Sequence, residues 1–330
     1  MRRLALTDSA SPWHSFWIRF GQYAPQLKLP QPLQIGVDPA GIADLGHGDA
    51  LLLYRYNTSW GDLEPALAAA RARGVRLLAD VDDYLWQTPS WPRQRLVPYS
   101  RCLRLCHTVT CSTTALQELL GLMLPQAAVV LLPNSTPPLR KATAASYDGQ
   151  LRLCWTGAAW TRPHDLALLR PLARWASALP QPLHWRHIGH VPGQLSLAQA
   201  LNLDPALVET RPLMAHGDYL NAMAGDIGLA PLAPGLFNSF KSELKLLEYS
   251  GLAMPWVASA AAPYQELCKR WGWRGRLCQA PLDWITQVEA LLEAPQLRQR
   301  EGLALQQLAH GRQSHAQALT QWQALLRGVA

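Results

Sequence analysis

The 330-residue sequence is poor in charge: Asp, Glu, Lys and Arg make up only 16% of it, and its basic excess (+7, pI near 9.3) is spread without long basic blocks. That balance favours anionic partners but points to no specific nucleic acid. A long apolar run is also missing. The longest uncharged stretch, 119–139, is interrupted by Pro125, Pro133, Asn134, Pro137 and Pro138, so no membrane-spanning helix is expected. The opening MRRLALTDSASPW carries two arginines but only a stub of apolar sequence before Asp8, and a secretory signal is not expected there. Cysteines are few and oddly placed. Cys102, Cys106 and Cys111 cluster as CLRLCHTVTC, which matches no zinc spacing, while Cys154, Cys268 and Cys278 stand apart. Buried free thiols in a reducing cytoplasm are the expectation.

Apolar residue is plentiful, at 49%, which excludes disorder and suffices for two packed cores. Short runs rich in Val, Ile and Leu recur at 33–37, 50–56, 75–81, 107–111 and 127–133, with 4–7 a weaker candidate. Between them GDLEPALAAARARG (61–74) has acids in its first turn, arginines in its last and a glycine stop, as the helix dipole favours. After a proline-rich segment at 133–150, read as a linker, a second set follows at 151–155, 183–189, 206–210, 226–232, 255–259 and 275–280. One helix is expected over 164–179 and a long amphipathic one over 296–327. This alternation predicts an α/β fold of two tandem Rossmann-like, doubly wound domains facing a cleft. The boundaries expected are 1–140, 141–310 and a C-terminal helix, 311–330, packing back on the first domain.

The stretch FNSFKSELKLLEYSG (237–251) raises a question about its charges. A helix capped at Asn238 or Ser239 sets Lys241, Lys245 and Glu248 at i, i+4 and i+7, on one face. Two readings are open. The stripe is a solvated face with Glu248 screening Lys245, or the lysines clamp an anion that relieves their mutual repulsion.

In order along the chain, VRLLADVDDYLW (75–86), VTCSTTAL (109–116), VVLLPNS (129–135), LRLCWTG (151–157) and DIGLAPLAPGLFNSFKSELKLLEYSGLAMPWVAS (226–259) resemble the retaining glycosyltransferases of the GT-B fold. The nearest likeness is to family-4-like enzymes that build cell-surface polysaccharides. It covers roughly residues 50–295. The resemblance implies that a nucleotide diphosphate sugar lies on the second domain, with its ribose on Glu248 and its diphosphate on Lys241, Lys245 and a helix N-terminus near Asn238. It implies no metal and no cofactor beyond that co-substrate. The family's second glutamate, eight positions before the ribose glutamate, is here Phe240, which accepts no hydrogen bond. The glycine-rich turn of the family is reduced to Thr156-Gly157-Ala158-Ala159. Gly157 either admits a phosphate close to the backbone or makes an ordinary tight turn.

Asp80 and Asp82 spell the acid-x-acid pattern by which GT-A transferases hold a divalent metal, but the two-domain plan argues for a metal-free role. Asp80, Asp82 and Asp83 are therefore expected at a strand end facing the cleft, orienting an acceptor hydroxyl, or else solvating a turn. His164 and Asp165 open the donor domain's first helix and approach the donor, unless Asp165 is simply a helix-start acid. His184, His187 and His190 are expected to be separated by strand alternation. The run KRWGWRGR (269–276) suggests a membrane-surface or lipid-linked acceptor contact, or a solvated loop with anchored tryptophans.

The function expected is transfer of a sugar from a nucleotide diphosphate sugar to a glycan or other hydroxyl acceptor, by a hexosyltransferase-type enzyme in the cytoplasm or at the inner face of the membrane. The alternative is a non-catalytic relative that binds a nucleotide sugar or glycan.

Overall fold

The computed structural model describes residues 2–9, 15–27, 34–35, 40–88, 91–137, 150–223 and 225–327; most of the expected linker lies outside them. Every apolar run singled out in the sequence becomes a strand. The first six are β1 (Arg3–Leu6), β2 (Gln34–Ile35), β3 (Ala50–Leu53), β4 (Arg76–Val81), β5 (Thr108–Cys111) and β6 (Ala128–Leu131), in the order β2-β1-β3-β4-β5-β6. The rest are β7 (Arg152–Thr156), β8 (His184–His190), β9 (Val208–Pro212), β10 (Ile227–Ala230), β11 (Trp256–Ser259) and β12 (Leu277–Cys278), ordered β12-β11-β10-β7-β8-β9. All pairings among the described residues are parallel.

Both sheets are covered on both faces, and the period-2 alternation of a strand shows how. Leu51 and Leu53 of β3 enter one core while Ala50 and Leu52 enter the other. In β7, Trp155 and Cys154 divide in the same way. By backbone contacts the chain forms two compact units, one of residues 1–134, 240–242 and 316–330, the other of 135–239 and 243–315. The fold is thus α/β with two tandem doubly wound units. No helix among the described residues is long and apolar enough to cross a membrane. All six cysteines are free and buried, and burial pushes the Cys102, Cys111, Cys154 and Cys278 thiols up to about 12.

Three expected helices are each divided in two. The one at 164–179 becomes Pro163–Ala167 and Arg170–Ser177, because Pro171 has no N–H with which to continue a helix and restarts one instead. The one at 296–327 becomes Pro295–Arg312 and His315–Arg327. Gln313 leaves helical geometry (φ −151°, ψ 51°), its carbonyl accepting from the Thr136 N–H at 2.8 Å and its amide donating to Glu243 at 2.7 Å. The last helix then packs in the first unit. Trp322 lies edge-on to Phe20 with ring centres 4.9 Å apart, and its indole N–H donates to the Arg19 carbonyl at 2.9 Å. The third division falls within 237–251 and alters the site.

In a doubly wound unit, helices antiparallel to the strands gather their carboxyl ends at the amino edge of the sheet. Cations are favoured there. The first unit answers with arginine: Arg3 donates to the Leu326 carbonyl, Arg71 to Leu105, Arg73 to Ile42 and Leu45, and Arg76 to Leu325.

Candidate functional site

Strand order reverses between β7 and β10 in the second unit, and ligands of such sheets bind outside the carboxyl ends of the strands at this point. β7 ends there at Thr156, 1% exposed. Gly157 follows with φ +136°, its N–H donating to the Ile188 carbonyl at 2.8 Å and its own carbonyl meeting His187 Nε2 at 2.9 Å. A side chain at Gly189 would place Cβ 2.8 Å from that same carbonyl oxygen. Glycine at 189 is therefore what allows the ends of β7 and β8 to close on each other.

The helix Leu244–Gly251 supplies two charges to this edge. Lys245 donates to Thr156 Oγ1 at 2.9 Å and to the Thr156 carbonyl, and its ammonium stands 5.6 Å from the centre of the Trp155 ring. Burial pushes the lysine down to about 8, Arg162 adding to the effect and Glu248 opposing it. Glu248, one turn later, is 4% exposed. Its Oε2 accepts from the Tyr219 hydroxyl at 2.7 Å, and its Oε1 lies 3.3 Å from His216 Nε2. The Tyr219 oxygen is also 3.0 Å from Thr156 Oγ1, and burial followed by the Glu248 charge raises the phenol well above its usual range. His216 stacks on Tyr219 with ring centres 5.9 Å apart.

Asp165 and Asn238 also come together. One carboxylate oxygen of Asp165 accepts from the Ala233 N–H at 2.8 Å and from Asn238 Nδ2 at 2.9 Å, tying the loop after β10 to the helix after β7. Arg162 stands 3.6 Å from the other oxygen. His164 is exposed on the same helix.

The single charged stripe across 238–251 does not form. Leu236–Ser239 and Leu244–Gly251 are separate helices, and neither Asn238 nor Ser239 caps the second; Glu243 precedes it without a side-chain cap. Between them Phe240 packs at a tilt against Tyr84 with ring centres 4.7 Å apart, and the Lys241 ammonium reaches both oxygens of Asp83 at 2.9 Å, all within the first unit. These contacts break a stretch that local propensity would leave helical.

The aspartates of β4 and its end are each matched by a cation. Asp80, fully buried, takes two bonds from Arg19 at 2.7 and 2.9 Å and one from Thr110, so it offers an acceptor hydroxyl no face. Arg19 also donates to Asn134 at 3.1 Å. Burial works against charge on Asp82, yet Arg55 at 3.0 Å, with Tyr54 and Arg19, holds its carboxyl below the usual range. Asp83 is the partner of Lys241.

Strand alternation does not keep all the histidines apart. An irregularity between Ile188 and His190 brings the His187 and His190 rings to 6.1 Å. Even so, among the described residues no group of three His, Cys, Asp or Glu side chains could hold a metal ion. In 269–276, Trp271 is buried and Trp273 packs against the core, while Arg270 pairs with Glu243 and Arg276 with Glu301. Its tryptophans are therefore anchors of the fold. Sequence reasoning missed Arg162, His216 and Tyr219, and gave Thr156 no role beyond its place in the turn before Gly157. Only Arg162 carried a signal, as the lone cation between β7 and the helix at Pro163.

No protein-family model matches this chain, and no curated protein does. Among solved structures, it is similar to Anabaena HepE in complex with UDP and glucose, with a TM-score of 0.66 and 14% identity over 99% of this chain and 100% of that one. Sucrose-phosphate synthase from Thermosynechococcus elongatus gives 0.61 and 12% identity over 100% and 99%. The GtfA/B complex gives 0.57 and 13% identity over 88% of this chain, which spans only 59% of the GtfA/B chain. These likenesses show the fold, GT-B, with two Rossmann-like domains.

Proposed function

We propose that the second unit binds a nucleotide diphosphate sugar and that the chain is a retaining, family-4-like glycosyltransferase of the hexosyl-transferring type, acting on a glycan or another hydroxyl acceptor. The observation that carries this reading is Glu248, a nearly buried carboxylate at the strand-order reversal that, among the described residues, meets the Tyr219 and His216 side chains. A carboxylate has about four acceptor positions, so two remain for the vicinal hydroxyls of a ribose. Lys245 and Arg162, with the N–H groups that follow Gly157, face the adjoining diphosphate, and Asp165 with Asn238 braces the loop above. Arg162 takes the place that the sequence suggested for Lys241. That HepE was solved with UDP and glucose supports a UDP-sugar as the first donor to try.

No divalent ion is needed in this reading, because fixed cations meet the leaving diphosphate. Asp80 and Asp82 have their oxygens engaged by Arg19, Thr110 and Arg55. Six buried free thiols suit a reducing, cytoplasmic setting. The test incubates the chain with UDP-, GDP- and dTDP-hexoses and an acceptor panel, with and without EDTA, following released nucleotide beside a direct binding assay. Nucleotide release that survives the chelator is expected. Loss with EDTA and recovery with Mn²⁺ would return Asp80 and Asp82 to consideration as ligands, and absence of both binding and release would end the proposal. One observation favours a binding-only relative: Phe240, at the family's donor-sugar glutamate, packs against Tyr84. Binding without release would select that reading.

A further inference from the structure

Lys245 and Glu248 lie one turn apart on one helix, yet a hydrogen-bonded route between them leaves it. An ammonium only donates, a carboxylate only accepts, and a hydroxyl has one proton. The Tyr219 proton is directed to Glu248 Oε2, the charged acceptor and the shorter contact at 2.7 Å. The 3.0 Å contact between Tyr219 and Thr156 is then made with the threonine's proton, while Thr156 Oγ1 accepts from Lys245 at 2.9 Å. The chain reads Lys245 to Thr156 to Tyr219 to Glu248, with Lys245 donating also to the Thr156 carbonyl. Thr156 is 1% exposed, so no competing water reaches its hydroxyl freely.

Such a chain polarises along its length. With the lysine free of anion, its charge strengthens each following donor, and Glu248 is a weaker acceptor for anything else. A phosphate that draws the ammonium toward itself relaxes the chain and restores the carboxylate's acceptor strength.

We propose that Thr156 and Tyr219 are positioning residues that couple a phosphate subsite at Lys245 to a diol subsite at Glu248, so that a phosphorylated nucleoside is recognised as one unit and its parts reinforce each other. The inference rests on the proposed donor site. It requires positive, reciprocal coupling between the two parts of the ligand.

The experiment titrates the full chain with uridine and guanosine, by NMR or calorimetry, in the absence and presence of saturating orthophosphate. In the parent protein phosphate should tighten nucleoside binding by about fivefold. Thr156→Val should abolish that ratio and Thr156→Ser restore it, a readout that a merely structural role for the threonine would not move. A ratio of one or less in the parent, or a ratio that survives Thr156→Val, overturns the coupling and leaves the donor site standing. If neither nucleoside binds, or Glu248→Gln binds them as the parent does, the donor site itself is wrong and the coupling falls with it.

Discussion

The two units treat charge differently. In the first, Asp80, Asp82 and Asp83 are each neutralised by Arg19, Arg55 or Lys241, and the amino-edge arginines are absorbed by helix-terminal carbonyls. At the β7–β10 edge of the second unit, Lys245 and Glu248 are answered mainly by hydroxyls and an imidazole. A buried charge that is fully paired holds a fold together and has nothing left for a ligand. One held by neutral groups retains most of its field. The aspartates of the conspicuous DVDD motif are thus each paired with a cation, and the modest KLLE segment contributes to the candidate site.

The largest expected effect breaks the first kind of charge. Arg19→Met leaves Asp80 buried without its counter-ion and should cost about 3–5 kcal/mol, read from urea denaturation. A loss below about 1 kcal/mol would mean that the pair is dispensable. Breaking the second kind should hurt binding and spare folding. Glu248→Gln should weaken nucleotide diphosphate affinity by about 1–3 kcal/mol in calorimetry with little change in denaturation midpoint.

The next prediction concerns pH and sharpens the same contrast. Lys245, pushed down to about 8, faces Glu248 on its own helix, Arg162 and Asp165 beyond β7, Cys154 on β7 and His187 on β8. Raising the pH through 8 removes its positive charge, so nucleotide diphosphate affinity should fall there, while Lys245→Met should show no inflection at that pH. Over a similar range the buried thiols act on stability. Unfolded cysteines ionise near 9, whereas burial holds the folded ones higher, so above 9 the unfolded state binds fewer protons and denaturation midpoints should drop.

The smallest effect is expected at Lys241. Its pair with Asp83 is partly open to solvent, so Lys241→Met should cost no more than about 1 kcal/mol of stability and leave nucleotide affinity unchanged. A large loss of affinity would reinstate this lysine as a phosphate ligand.

The strands were legible because a strand covered on both faces must be a nearly continuous apolar run, and runs such as ALLL and WVAS have few other uses. Glu248, Lys245 and Gly157 were legible as parts of an ordered motif. The helix breaks at 240–243 and Gln313 were not. Neither contains proline, and each is held by partners remote in sequence: Asp83 and Tyr84 for one, Thr136 and Glu243 for the other. Tyr219 and His216 escaped notice for the same reason, since nothing within MAHGDYL refers to a carboxylate 29 and 32 residues away.

The two doubly wound units follow from local pattern alone, because hydrophobic period and strand count are repeated many times along the chain. Which charges meet a counter-ion was set by packing alone. Pairing requires a counter-ion within about 3–4 Å, and side chains brought together by different strands and helices carry no mark of it in their own neighbourhoods.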